Sequence, residues 1–335
     1  MLIAQRGRKA LQQMFFGETL IPQEFFVGMP EPQAEIGVWL HGAGAPVDVT
    51  WRHSMACAAP FAICIAFDSE KLLREQGLNG LSLAFRARGG GEFALGEIAL
   101  KLREIIYAKG MQLGIFEAHS SNNRCLPSAR RWMHYAYQHY LERRMVDTSG
   151  MKMSFLEKRA AMVMFIRPHP VSLVSVVGTA GGNIFPMNIM GELGCEYVAF
   201  ALKDNRRAAH LVEAAGRLAV SSMPLSKAHL AYQLAANHKK DSIDWEQLPF
   251  ATMASAAFEI PVPVFAQRVR ELQVEKVHPI GSHTFFVARV VREQVFSSAP
   301  QLCVIHGFYQ AWRMRGKSAE LNMSAVEDRL YKRGA

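Results

Sequence analysis

From residue 171 onward the chain consists of short β-strand patterns separated by turns, and helical patterns are scarce. RRAAHLVEAAG, which ends at Gly216, has the pattern of a helix, and a second helix is expected over 226–238. Many short strands with few helices predict an antiparallel barrel, closed or partly closed. A doubly wound nucleotide-binding fold is excluded, because such a fold needs a helix after nearly every strand.

The first 150 residues have a mixed pattern of strands and helices. Residues 97–109 have a helical pattern, and so do residues 127–145, where Pro127 suits a first helical turn. The strand candidates, which lie between glycine, proline and aspartate turns, are 36–41, 47–52, 61–67, 81–86 and 93–99. We therefore predict a mixed α/β N-terminal domain whose role the sequence leaves open.

The domain boundaries follow from these patterns and from DTSG at 147–150, the best linker candidate. The predicted parts are an N-terminal domain over 1–150, a connecting helix over 151–165, the barrel over 166–315 and a C-terminal tail over 316–335. The fold class is thus α+β and mainly β.

One internal likeness links residues 38–68 with residues 174–204. Both segments have a strand, a glycine turn, a strand, a Met and an apolar strand closed by Asp. β-Meanders look alike, so the pattern favours coincidence over duplication.

Composition excludes several classes of protein. Half of the 335 residues are hydrophobic and a fifth are charged, which excludes disordered, collagen-like and coiled-coil chains. No apolar run approaches the roughly 18–20 residues of a membrane-spanning helix, and charges interrupt the N-terminal residues where a secretion signal would be apolar. The five cysteines are scattered without a CxxC pair, so we expect no disulfide scaffold, no metal site and a cytoplasmic location.

The net charge of +9 is spread over both halves, without a basic arm. Nucleic-acid binding would rest on this charge and on the arginine-rich helix 127–145 alone, so it is not expected. A small anionic ligand such as a phosphate explains the excess equally well. The standard nucleotide motifs fail, because GTAGGN at 178–183 lacks the GxGxxG spacing and GKS at 316–318 has Ala311 where a phosphate-binding loop needs glycine.

A cationic helix start follows the second buried strand pattern of the segment 167–222. Its basic residues are Lys203, Arg206 and Arg207. Free helix amides beside cations suit a phosphate group. Asp204 or Asn205 is the expected N-cap of the helix.

An extended segment, NIFPMN at 183–188, precedes that strand. Its backbone polar groups and apolar side chains suit a flat heterocycle with polar edges. A plainer interpretation stays open, in which the arginines form a solvated helix turn, Asn183 is a turn residue, and Met187 and Met190 fill the core. Composition and periodicity do not choose between the two.

Residues from about 160 to 315 resemble the flavin reductase-like family of FMN-binding split barrels. The matching pieces, in order, are RPHPVSLVSVVG, GNIFPMNIM in place of the family's N-x-x-x-x-S segment, LKDNRRAAHLVEAAGRLAVSSM, GSHTFFVARVV and CVIHGFYQAW. The resemblance implies a six-stranded Greek-key barrel with added helices, usually in a homodimer with FMN at or near the subunit interface. Such proteins reduce flavin with NADH or NADPH, often for a partner monooxygenase, and some only carry electrons on FMN.

The resemblance also implies roles for particular residues. Those expected to bind FMN are Asn183, Ile184, Phe185, Pro186, Met187, Asn188, Lys203, Arg206, Arg207, Ser221, Ser222 and Tyr309. His283, in the family's Gly-x-His step, and Asn188, which replaces the family's usual serine, are the expected catalytic residues. Tyr309 is expected to pack on the cofactor or to close the barrel.

We predict an FMN-binding oxidoreductase that passes hydride from NADH or NADPH to flavin N5. Its expected partners are flavin and nicotinamide, a monooxygenase or other electron acceptor, and a second copy of the chain, with no membrane. The alternative is a non-catalytic FMN-binding or electron-transfer module that the N-terminal domain recruits to a client. The large N-terminal extension favours this alternative, because a plain reductase of this type needs only the C-terminal half.

Overall fold

The computed structural model describes residues 21, 24–32, 34–42, 44–67, 80–89, 93–143, 152–179 and 181–315. The predicted linker at 147–150 and the predicted tail at 316–335 lie outside the described residues. The described chain is mostly β with a few short helices, in agreement with the predicted fold class. Among these residues, no helix is long and apolar enough to cross a membrane.

Seven antiparallel strands of the N-terminal part form one sheet, which we call the N sheet. Its strands are β2 (Ile36–His41), β3 (Val47–Asp48), β4 (His53–Ala58), β5 (Phe61–Phe67), β6 (Ser82–Ala87), β7 (Ala94–Ala108) and β8 (Met111–Asn123). Their spatial order is β3-β2-β6-β7-β8-β5-β4. The helix α1 (Ser128–Glu142) follows the last strand and confirms the helix predicted at 127–145.

The helix predicted at 97–109 is wrong, because these residues belong to β7. Leucine and a basic residue alternate over 100–103, which is the two-residue period of a strand. β8 also pairs with β7 along almost its whole length. This long hairpin outweighs the modest helical propensity of the segment, as tertiary pairing commonly does.

Seven further strands form the C sheet. They are β10 (Ser172–Gly178), β11 (Gly181–Met187), β12 (Met190–Glu192), β13 (Tyr197–Lys203), β14 (Arg217–Ser222), β17 (Arg268–Ile280) and β18 (His283–Val295). Their spatial order is β11-β10-β14-β17-β18-β13-β12.

The C sheet curls around its own core. Phe185 on β11, near one end of the ladder, and Phe200 on β13, near the other end, belong to one buried cluster. Phe200 stacks on Phe286 of β18 inside it, with ring centroids 5.0 Å apart. The sheet is therefore a partial barrel, but the expected six-stranded Greek-key closure is not confirmed, since the ladder has seven strands.

A small third sheet ties the two ends of the described chain together. It consists of β1 (Glu24–Met29), β19 (Gln301–His306) and β9 (His169–Pro170), with β19 in the middle. Two helices next to it, α2 (Phe155–Met164) and α5 (Gly307–Arg313), bury side chains in the core of the N sheet. The N-terminal core is thus completed by residues from the middle and the end of the sequence.

The remaining elements lie between β13 and β17. The helix α3 (Arg207–Ala215) ends at Gly216, whose φ of 64° is the left-handed conformation of a helix C-terminus, as predicted. The helix predicted at 226–238 is broken into a 3-10 turn (Leu225–Lys227), α4 (Ala228–Gln233) and a second 3-10 turn (Ala235–Lys239). The strands β15 (Thr252–Ala254) and β16 (Pro261–Pro263) form a separate hairpin.

Candidate functional site

A cleft of about 280 Å³ opens at one end of the C sheet. It lies where β11 and β13 end, beside the turn before α3 and the 3-10 turn at Ala235–Lys239. The residues that line it are Pro186, Met187, Asn188, Ile189, Ala201, Leu202, Lys203, Arg206, Ala235, His238, Lys239 and His283. One side of this set is cationic and the rest is largely apolar.

The cationic side is formed by Lys203 at the end of β13, Arg206 before α3, and Lys239. Arg206 is the N-cap of α3, with extended backbone angles (φ −112°, ψ 140°) and no side-chain cap hydrogen bond. No cap side chain therefore competes for the first amides of the helix. Amides of this kind beside three cations suit an anion.

The N-cap prediction of Asp204 or Asn205 is wrong. Both residues lie in the turn that precedes the helix and are exposed. The turn is closed by the Arg206 amide, which donates to the Lys203 carbonyl at 3.1 Å. This closure places Arg206, rather than the two shorter polar residues, at the helix start.

His283 is the first residue of β18 and only 2% of it is exposed. Its Nδ1 lies 2.9 Å from Ser282 Oγ and 3.6 Å from Cys57 Sγ, so one of its neighbours comes from the N sheet. Burial, and then the charge of Lys203, lower the pKa of His283 to about 4. The ring is therefore neutral at pH 7, and it can donate from one nitrogen and accept at the other.

His238 is a second neutral imidazole at the cleft. Its Nε2 lies 2.8 Å from the Pro186 carbonyl oxygen, so Nε2 carries the proton and donates. The ring also packs on Phe185, with centroids 4.7 Å apart. Burial lowers the pKa of His238, so the ring adds no positive charge to the cleft beside the neighbouring Lys239.

Asn183 fixes the position of the 3-10 turn without facing the cleft. Its Nδ2 donates to the carbonyl oxygens of Asn237 at 2.9 Å and Lys240 at 2.8 Å. In return, Asn237 Nδ2 donates to the Ile184 carbonyl at 2.9 Å. This reciprocal pair of side chains holds the segment that presents His238 and Lys239.

The structure brings together only part of the predicted site. The predicted residues that line the cleft are Pro186, Met187, Asn188, Lys203, Arg206 and His283. The side chains that point elsewhere are those of Asn183, Ile184, Phe185, Arg207, Ser221, Ser222 and Tyr309.

Each of the residues outside the cleft has a different environment. Ile184 and Phe185 are fully buried in two hydrophobic clusters. Arg207 points to solvent and pairs with Asp241 at 3.2 Å. Tyr309 is buried in the core of the N sheet, where its hydroxyl donates to Glu35 at 2.8 Å. The predicted packing of Tyr309 on a cofactor is therefore not what this cleft allows.

Ser221 and Ser222 lie on β14, in the interior of the C sheet. Ser222 Oγ accepts a hydrogen bond from the Arg268 amide at 2.9 Å, and so serves the β14–β17 ladder. Neither serine reaches the cleft. The FMN contact predicted for them is not available there.

Half of the lining residues were not predicted from the sequence, namely Ile189, Ala201, Leu202, Ala235, His238 and Lys239. The apolar ones carry no chemical pattern that distinguishes them from core residues. The basic run His238-Lys239-Lys240 does stand out in the sequence. It could have been matched with the cationic helix start as the other side of one anion site.

One family model matches the C-terminal part of the chain. A family model described as the flavin reductase like domain matches residues 164–313. A search of the curated proteins finds no match.

Solved structures with a similar arrangement have low sequence identity to the chain. An NADH:FAD oxidoreductase of Streptomyces globisporus C-1027 is 16% identical with a TM-score of 0.40, over 49% of this chain and 93% of that one. The styrene monooxygenase flavin reductase of Pseudomonas putida S12 is 20% identical with a TM-score of 0.36, over 44% and 93%. An FMN-binding protein of Thermus thermophilus is 23% identical with a TM-score of 0.34, over 38% and 73%. Likeness at this level indicates nothing about activity.

Proposed function

We propose, from the match of residues 164–313 to the flavin reductase like domain, that the chain is an NAD(P)H:flavin oxidoreductase that binds FMN in the cleft of the C sheet. The observation that carries the proposal is the division of the cleft into a cationic side and an apolar side. FMN has the same division, with a phosphate dianion at one end and a planar ring at the other.

The residues present fit such a ligand. Lys203, Arg206 and Lys239 would hold the phosphate together with the first amides of α3. Met187, Ile189 and Leu202 are apolar groups that can cover a ring face. Asn188 supplies an amide beside them, able both to donate and to accept at a polar ring edge.

When bound, the flavin would supply the redox chemistry, taking a hydride from the nicotinamide and passing electrons to an acceptor. The protein's part is positioning and charge. The cations at one end fix the ligand's orientation, and the neutral rings of His283 and His238 add hydrogen-bonding groups without a further positive charge. Because the pKa of His283 is about 4, this group keeps one protonation state from about pH 5.5 upward.

Three finer points belong to the same proposal. FMN is proposed over FAD because the cleft has one cationic side that suits a single terminal phosphate. Either NADH or NADPH would be the transient hydride donor. A monooxygenase or another electron acceptor would consume the reduced flavin, and the cytoplasmic location stays a prediction.

The direct test is turnover with free flavin. Purified protein should oxidise NADH or NADPH, followed at 340 nm, when FMN is added. Riboflavin, which lacks the phosphate, should need a concentration about tenfold higher, since charge-assisted hydrogen bonds contribute about 1.5–3 kcal/mol. Yellow protein without turnover would contradict the reductase and favour the electron carrier.

A matched pair of variants locates the site. Lys239→Ala removes a cation of the cleft and should raise the KM for FMN, whereas Lys240→Ala removes its neighbour, which does not line the cleft. Equal effects of the two substitutions would mean that the phosphate lies elsewhere.

A further inference from the structure

The two seven-stranded sheets have the same topology. If the strands of each sheet are counted from 1 to 7 along the chain, the N sheet has the spatial order 2-1-5-6-7-4-3. The C sheet, counted in the same way from β10 to β18 without the β15–β16 hairpin, also has the order 2-1-5-6-7-4-3. In this order two of the connections join strands that are not neighbours in the sheet. The general preference for joining neighbouring strands in hairpins therefore does not by itself give two sheets the same order.

The strand registers also correspond. A two-residue turn closes the long hairpin of each sheet, between Ala108 and Met111 in the N sheet and between Ile280 and His283 in the C sheet. One step further along the ladder, Gln112 pairs with Phe67 and Thr284 pairs with Leu202. The segments 38–68 and 174–204, whose sequences look alike, cover corresponding strands of the two sheets. Their closing aspartates are not in register, because Asp68 corresponds to Lys203 and not to Asp204.

The two sheets face each other through the same positions. One buried cluster lies between them, and the register pairs its members as Cys64 with Ala199, Ala66 with Ala201, Ala108 with Ile280, Leu113 with Phe285, and Ile115 with Val287. Each sheet thus contributes the same patch of the same strands. A surface that packs against its own equivalent is the property of a two-fold, isologous interface.

The position of a local two-fold axis follows from one close contact. Ser54 pairs with Cys64 and Gly191 pairs with Ala199, so Ser54 and Gly191 are equivalent positions. They touch each other, because a Cβ added to Gly191 would lie 2.9 Å from the Cβ of Ser54. Equivalent positions meet where a two-fold axis passes between them.

We propose that this chain is a dimer of one sheet fold fused into a single polypeptide, in which the N sheet takes the place of a second subunit and its described residues line no second copy of the cleft. At the register position of His283 the N sheet has Met111, a side chain with no proton to donate. Lys203, which follows Leu202, corresponds to Asp68, which follows Phe67 in the sequence and lies outside the described residues.

The segment that builds one wall of the cleft is also particular to the C sheet. Residues 223–267 connect β14 to β17 and include Ala235, His238 and Lys239, whereas only residues 88–93 connect the corresponding strands β6 and β7. The fused dimer therefore has one ligand site per chain instead of two. The identity of that ligand rests on the proposed function, but the fusion does not.

The first experiment tests the fused interface by a disulfide. Cys57 Sγ on the N sheet lies 3.6 Å from Ser282 Oγ on the C sheet, so Ser282→Cys places two thiols in reach of a bond. In a Cys195→Ser background, which removes the exposed thiol, mild oxidation should cross-link the halves within one chain. Non-reducing electrophoresis should then show a faster monomer band, absent when Cys57→Ser is added. A covalent dimer, or no cross-link, would overturn the inference.

The second experiment counts ligand sites on the full chain. Equilibrium dialysis with FMN should give one site per 37.4 kDa chain. Two sites would show that the N sheet also binds the ligand, and would overturn the inference of one ligand site per chain. No FMN binding would instead refute the proposed function, and the disulfide result would still decide the fusion.

Discussion

The N sheet and the C sheet have the same strand order. Among the described residues, however, the ligand cleft is lined only by residues of the C sheet and its connections. Strand residues such as His283, where the N sheet has Met111, are one part of the difference, and the connections of the C sheet are the other. The turn at 203–206 supplies cations and the segment 223–267 supplies a wall, and both are connections. The comparison teaches that a fold provides the frame, while its loops decide whether that frame binds anything.

The comparison also gives the large N-terminal extension a structural role. Its sheet buries one face against the C sheet, and Cys57 reaches His283 in the cleft wall. A docking platform for a client is therefore not needed to explain why the extension exists. No contact of the described residues favours the non-catalytic carrier over the reductase.

The largest effect of a single substitution is expected where the two sheets touch most closely. A Cβ at Gly191 would overlap the carbonyl of His53, which is backbone and cannot turn away. Gly191→Ala should therefore lower the free energy of unfolding by about 3 kcal/mol or more. Urea unfolding measures this loss.

Gly178→Ala is the matched control for that substitution. Gly178 is also a strand glycine, but a Cβ there would meet only the Gly181 carbonyl at an ordinary 3.9 Å. Its effect should stay below about 1 kcal/mol. Equal losses at the two positions would show that the sheets are not in contact at Gly191.

Acid should destabilise both sheets. Burial lowers the pKa of His306, which contacts the N-sheet core, and of His169 to about 3, and that of His283 to about 4. An unfolded histidine titrates near 6.5, so between pH 4 and 6.5 the unfolded state binds more protons than the folded state. The free energy of unfolding should then fall by several kcal/mol from pH 7 to pH 4.5.

Urea unfolding at a series of pH values measures this dependence. His283→Met, which gives the C sheet the residue of the N sheet at this position, should reduce the slope without abolishing it. A flat profile in the wild-type protein would mean that these rings are not buried in their neutral form.

Substitution of two adjacent arginines, one inside the cleft and one outside it, tests whether the cationic side of the cleft binds FMN. Arg206→Ala removes a guanidinium from the cleft and should weaken FMN binding about tenfold, the expected loss of one charge-assisted contact. Arg207→Ala breaks an exposed pair with Asp241 and should change the Kd less than twofold. Fluorescence titration with FMN decides between them, and a larger loss at Arg207 would contradict the site.

The smallest effect is expected at the thiol that connects the two sheets. Cys57→Ala leaves a small void and should cost about 1 kcal/mol of stability, and it should change kcat about twofold because Cys57 contacts His283. Cys64→Ala, in the same core between the sheets, should cost similar stability and leave kcat unchanged. Identical kcat values for the two variants would mean that Cys57 has only a packing role.

The sequence predicted the C-terminal strands and the cationic turn because both have local patterns. Buried strands such as β10 are continuous apolar runs, and Gly216 ends α3 where a left-handed residue is needed. The cleft's second wall could not be predicted in this way. Asn183 was assigned to a ligand, but its partners are Asn237 and Lys240, more than 50 residues away in sequence.

The N sheet shows that a local pattern can also predict the wrong element. Residues 97–109 have an acceptable helical pattern, and only their pairing with β8 makes them a strand. The proposed duplication rests mainly on the strand order of the two sheets, which no local sequence pattern contains. The family motif around Tyr309 predicts that it packs on the cofactor or closes the barrel, whereas long-range packing directs its hydroxyl to Glu35.

The pairing of β1 with β19 has a consequence for how the protein is made. Glu24 faces His306, so the first described strand finds its neighbour only after the chain has been synthesised as far as His306. Until then Val27 and Met29 have no strand beside them and the core that takes up Phe308 is incomplete. During translation the core of the N sheet is thus exposed to aggregation until residues 301–313 have been added.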